Sequence, residues 1–180
     1  VHTLRSAGKL TYESVPRLKP YVFLKESAVN ESSFPLLAGP VSIFRAGSYI
    51  GTSQIGYVAP RQQFELFAGI DESISIKRRL DKKAFEKVAY FSKRKTITVS
   101  WDTLLVNNKK TATTVTLTEN IPVSQMEEVQ VELVESTSQG YRLDDKKGFL
   151  AWQVTLPPNS SKTIHFEYRV TVPKGFDIRL

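Results

Sequence analysis

Asp71, in the run Gly69-Ile70-Asp71-Glu72, is by type and context the residue of this chain best suited to bind something. A carboxylate beside a glycine at a strand end can hold a ligand or a metal ion, so Gly69 and Asp71 form one candidate site. The commoner use of a short acid there is to accept hydrogen bonds from its own turn, and that is the preferred reading. Glu65 and Glu72 add carboxylates, but without the spacing that paired acid-base chemistry requires. His165, followed by Glu167 and Arg169, could serve as a general base, since an ordinary imidazole titrates near about pH 6.5. Its place on the outward side of an amphipathic strand favours a solvated histidine instead. No serine sits in a G-x-S-x-G context, and neither G-x-x-x-x-G-K-[ST] nor G-x-G-x-x-G occurs. No residue is assigned a catalytic, cofactor-binding or metal-ligating role.

Composition narrows the chemistry further. The chain has no cysteine, which excludes disulfides, thiolate nucleophiles and thiolate metal sites, and only two histidines, which sets a multi-histidine metal centre aside. The formal net charge of +7 is concentrated in one place: nine of the basic residues lie between Lys77 and Lys95, against Asp81 and Glu86, and the rest of the chain is balanced. Lys77, Arg78, Arg79, Lys93, Arg94 and Lys95 are therefore candidate partner-binding residues, able to steer an acidic protein or an anionic polymer. Tyr90 and Phe91, lying among the cations, admit single-stranded nucleic acid as a further reading, although no nucleic-acid motif accompanies them. The preferred reading is a solvated hairpin whose lysines discourage unwanted sheet pairing.

The elements that would position these residues are strands. In Thr163 to Val170 the apolar Ile164, Phe166, Tyr168 and Val170 alternate with His165, Glu167 and Arg169, the period of a half-buried strand. The same alternation runs through Ile97, Val99 and Trp101, through Val115 and Leu117, through Val129, Val131 and Leu133, and from Leu150 to Leu156. Turn residues at 107–110, 144–148 and 157–161 separate these runs. Trp101 and Trp152 fall on inward faces, as core rather than as a sugar platform. In the first half, Tyr21 to Leu24, Pro40 to Phe44, Phe64 to Phe67 and Ile74 to Ile76 read as strands, with a hairpin turn at Arg45-Ala46-Gly47-Ser48. One short helix is predicted from Ala84, Phe85, Val88 and Ala89, with Asp81 as its cap. Asn30-Glu31-Ser32 and Asn159-Ser160-Ser161 match the N-glycosylation pattern and by themselves decide nothing.

An ordered series of short motifs covers almost the whole chain. It runs through Tyr12-Glu13-Ser14-Val15-Pro16-Arg17-Leu18, Ala28-Val29-Asn30-Glu31-Ser32 and Pro35-Leu36-Leu37-Ala38-Gly39-Pro40-Val41. Gly47 with Tyr49-Ile50-Gly51, Phe64-Glu65-Leu66, Gly69-Ile70-Asp71 and Ile121-Pro122-Val123-Ser124 follow, then Leu150-Ala151-Trp152, Tyr168-Arg169-Val170 and Pro173-Lys174-Gly175. In this series the chain resembles the C-terminal domain of the mucoidy inhibitor A family, classed as a domain of unknown function. The resemblance implies a coiled-coil-bearing region ahead of the domain in full-length relatives, and it supplies no catalytic residues. The chain departs from many relatives by having Arg61-Gln62-Gln63 where they carry glycine, which bears on the turn before the Phe-x-Leu strand.

These observations predict an all-β, β-sandwich architecture: an N-terminal β lobe over residues 1–92 and an immunoglobulin-like sandwich over 93–180, together one family domain. The expected function is a non-catalytic interaction or scaffolding module, the C-terminal part of a mucoidy inhibitor A-like protein, with a protein partner or self-association. A carbohydrate-binding module, an unrecognised hydrolase and a nucleic-acid binder acting through 77–95 are the alternatives, and no cofactor is expected. No stretch reaches the ~20 apolar residues of a membrane span and no signal peptide is visible, so a soluble domain is expected, with its compartment unassigned.

Overall fold

The computed structural model describes residues 9–45, 47–86 and 94–175, with side chains for all of these except 9, 45 and 82–86. Its regular elements are strands: β1 (Lys9–Ser14), β2 (Phe23–Val29), β3 (Gly39–Arg45), β4 (Ser48–Ile55), β5 (Gln63–Ile70), β6 (Ile74–Glu86), β7 (Arg94–Asn107), β8 (Thr113–Asn120), β9 (Gln130–Leu133), β10 (Tyr141–Asp144), β11 (Phe149–Leu156) and β12 (Ser160–Pro173). They form a six-stranded sheet in the order β10-β11-β8-β1-β2-β5, a four-stranded sheet in the order β6-β7-β12-β9, and the β3–β4 hairpin. All pairs are antiparallel except β1 with β8, where Tyr12 lies beside Val115. The all-β sandwich expected from the alternation is the architecture found.

Alternation puts one face of each large sheet into a shared core. Ile76, Ile97, Val99 and Phe166 from the four-stranded sheet pack with Val115, Leu117, Leu150 and Trp152 from the six-stranded one. At about 25 cal/mol per Å² of apolar surface, burial of this kind is the main stabilising term. A second, smaller cluster of Ala28, Val58 and Phe64, with Leu36, Ile55 and Leu66 against it, seats the β3–β4 hairpin near β2 and β5. Buried asparagines organise the turns between strands. Asn107 Nδ2 donates to the carbonyls of Thr111, Leu156 and Pro157. Asn30 Nδ2 donates in the same way to Phe34, Val58 and Ala59.

Both sheets join strands from either side of the 92/93 division: β1 pairs with β8, and β6 with β7. The helix predicted over Ala84 to Ala89 is not formed where the chain is described. Residues 84–86 continue β6, with Ala84, Phe85 and Glu86 in register with Thr98, Ile97 and Thr96. Helical spacing over so few residues cannot compete with a ladder that satisfies the backbone of an entire long strand. Val88 and Ala89 lie outside the described residues.

Candidate functional site

Among its described residues, the basic segment does not present one continuous surface. Lys77 and Arg79 project from the outer face of β6, an edge strand, and line a shallow cavity with Asp102, Leu104 and Thr163. Arg78, between them, turns into the sandwich. Its Nε donates to Glu119 Oε1 at 2.7 Å and its Nη2 to Oε2 at 3.1 Å, and its guanidinium lies 3.5 Å from the centroid of the Trp101 ring. Period two dictates this, since neighbours on a strand face opposite ways and Arg78 shares its face with Ile74 and Ile76. Arg94 Nη2 donates to the Glu128 carbonyl, and Lys95 is half-buried opposite Val172. Lys93, Tyr90 and Phe91 lie outside the described residues.

Gly69 and Asp71 are brought to a crowded corner. Asp71 Oδ1 accepts from Ser73 N, and Oδ2 accepts from Lys109 Nζ at 2.7 Å. Lys109 also donates to the Tyr12 hydroxyl and lies over that ring, so one ammonium links the β5–β6 and β7–β8 turns to β1. Burial would lower the Lys109 pKa, but the hydrogen bonds to Asp71 and Tyr12 outweigh it and the pKa is raised. Gly69 has φ of +101°, a conformation that suits glycine, and a β-carbon there would lie 3.8 Å from the Ile50 carbonyl oxygen of β4.

His165 does not stand free on its strand. Register sets it opposite Asp102, and its Nδ1 lies 2.7 Å from Asp102 Oδ1 while Nε2 lies 3.4 Å from Glu167 Oε2. Burial lowers the imidazole pKa, yet the hydrogen bonds to Asp102 and Glu167 prevail and raise it. Glu167 is held low, chiefly by the hydrogen bond from Ser136 Oγ, against the opposing effect of burial. Asp81 Oδ2 accepts from Ser100 Oγ on the same face. This cluster draws on three strands, and only the His165 to Glu167 spacing was visible in sequence.

A second kind of surface is aromatic. Phe44 and Tyr49 are 63% and 58% exposed on the β3–β4 hairpin, with ring centroids 5.5 Å apart. Separately, the rings of Tyr21, just before β2, of Phe23 and of Phe67 on β5 meet edge to face, and Phe67 is 53% exposed. Tyr57 is also exposed. The tryptophans belong elsewhere: Trp152 is core, its Nε1 donating to the Ser138 carbonyl, and Trp101 lies under Arg78.

Three comparisons with known proteins bear on this architecture. The sequence model of the family described as a domain of unknown function (DUF4139) matches residues 3–174. Protein F37C4.5 of Caenorhabditis elegans is 25% identical over 183 residues, covering 95% of this chain and 33% of the nematode protein. The chain thus spans about a third of the length of that relative. No solved structure matches.

Proposed function

Starting from a chain that belongs to the DUF4139 family, we propose that it is a non-catalytic interaction module that docks a protein partner through the aromatic surface around the β3–β4 hairpin. The observation that carries this reading is the exposure of Phe44 and Tyr49, whose rings meet on the hairpin. Exposed aromatic rings grouped on adjoining elements are the surface that partner-burying sites use. The absence of catalysis belongs to the same reading. It is supported by His165, whose ring nitrogens face Asp102 and Glu167 rather than a hydroxyl nucleophile. The inward turn of Arg78 weighs against a basic strip tracking nucleic acid.

The resemblance to the C-terminal domain of the mucoidy inhibitor A family belongs to this proposal, and the greater length of the nematode relative supports a module acting within a longer protein. The division into a first lobe, 1–92, and an immunoglobulin-like lobe, 93–180, enters the proposal only as two parts of one domain, since β1 and β6 pair across it. A photo-crosslinker placed at Phe44 or Tyr49 should capture a discrete protein partner, or a second copy, in cells expressing the full-length protein. The same group at exposed Glu135 should not. Equal capture at all three positions would refute the reading. A second reading, carbohydrate binding, has one observation in its favour, the exposed Tyr49 and Tyr57. Quenching of their fluorescence by a soluble polysaccharide, abolished in Tyr49→Ser, would favour it instead.

A further inference from the structure

The outer face of the four-stranded sheet holds ligating groups that the aromatic surface does not use. We propose that Asp81, Asp102 and His165 bind one divalent transition-metal ion of the Zn2+ type, with Glu167 steadying the histidine. Each of the three comes from a different strand, β6, β7 and β12, hydrogen-bonded side by side, so backbone ladders rather than loops fix their positions. A β-bulge between Leu80 and Lys82 makes Asp81 the extra residue of β6 and brings its carboxylate to Ser100, on the face where Asp102 and His165 lie. Bulges commonly re-aim a side chain in this way.

One ligand atom from each residue lies within 4.8 Å of the other two. A zinc ion with bonds of about 2.0–2.2 Å keeps its ligand atoms roughly 3–3.5 Å apart, so the widest separation has to close by about an ångström while His165 Nδ1 and Asp102 Oδ1, 2.7 Å apart, open by about half as much. His165 Nδ1 is the nitrogen that faces Asp102, and Nε2 faces Glu167, itself fixed by Ser136 Oγ at 2.6 Å. A metal-bound imidazole characteristically donates its second N–H to such a carboxylate, which sets the ring orientation and raises its basicity.

Charge points the same way. Asp81, Asp102 and Glu167 surround a single imidazole, and a histidinium offsets one of three negative charges where a dication offsets two. Lys77 and Arg79, on the adjoining cavity wall, oppose cation binding and so lower the affinity of the site. The mixed nitrogen and oxygen set favours Zn2+ over Mg2+ or Ca2+, which prefer oxygen alone. With three protein ligands on a half-exposed face, water completes the coordination.

The test is calorimetric titration of ZnCl2 into the chelator-stripped protein, repeated for Asp81→Asn, His165→Gln and Glu167→Gln, with thermal melts confirming that each is folded. One ion should bind per chain. Asp81→Asn and His165→Gln should each weaken binding tenfold or more, Glu167→Gln by about 10-fold, and excess Mg2+ should not compete. Asp81 is exposed and accepts one hydrogen bond from Ser100, so its variant decides the matter should His165→Gln fail to fold. The proposal is overturned by the absence of saturable Zn2+ binding to the wild type, or by equal affinity in Asp81→Asn.

Discussion

Between the two sheets, the Glu119 carboxylate, 2% exposed, accepts two hydrogen bonds from Arg78 where water barely reaches. Removing one partner leaves the other charged and desolvated, so Arg78→Met or Glu119→Leu should each lower stability by about 3–5 kcal/mol, measured by urea unfolding, while the double variant recovers much of the loss. Lys109 makes a prediction in pH. Its folded-state pKa is raised above the unfolded value, so its contribution is fully present below the ordinary 10.5 and is lost as pH rises through the higher folded value. The stability gap between wild type and Lys109→Gln should therefore hold steady to about pH 10 and narrow above it. The density of positive charge was legible in the sequence, but the inward turn of Arg78 was not, because its partner Glu119 lies 41 residues away on the facing sheet. The grouping of Asp81, Asp102 and His165 was hidden for the same reason. It depends on the register of three strands, which no local pattern contains.

Strands that bury one face were easily read, as β11 and β12 show, because their alternation is enforced by the shared core. β10 was missed: it is an edge strand, mostly exposed, and nothing compels its residues to alternate. β1 was missed as well, being short and polar at several positions, although its residues carry part of the motif series. The helix read from Ala84 and Phe85 shows the converse, a local pattern overridden by pairing with β7. At the turn before β5, Arg61 has φ of +65°, where glycine is at ease and a side chain costs about 1–2 kcal/mol. Arg61→Gly should accordingly raise the melting midpoint, by a free energy on the order of 1 kcal/mol once the added chain entropy is counted. Gly148 gives the opposite case. Its φ is +70°, and a β-carbon there would lie 2.5 Å from the Ile121 carbonyl oxygen, so Gly148→Ala should cost about 2 kcal/mol or more in thermal unfolding.

At the scale of the molecule, neither sheet is complete within residues 1–92 or 93–180. β6 makes its whole ladder with β7, and β8 has β1 along one side. Calorimetry should show a single unfolding transition for the chain, and the fragment 93–180 alone should lack a cooperative one. Two separate transitions would mean that the halves are independent. The parallel pairing of Tyr12 with Val115 also sets a timetable. β1 leaves the ribosome with β2 available on one side, but its other edge has no partner until roughly a hundred further residues have been translated, at ~5–20 residues per second. For several seconds every new copy displays an open strand edge to the crowded space around the ribosome. Guarding that edge until β8 arrives is a demand on the growing chain that the finished sandwich no longer shows.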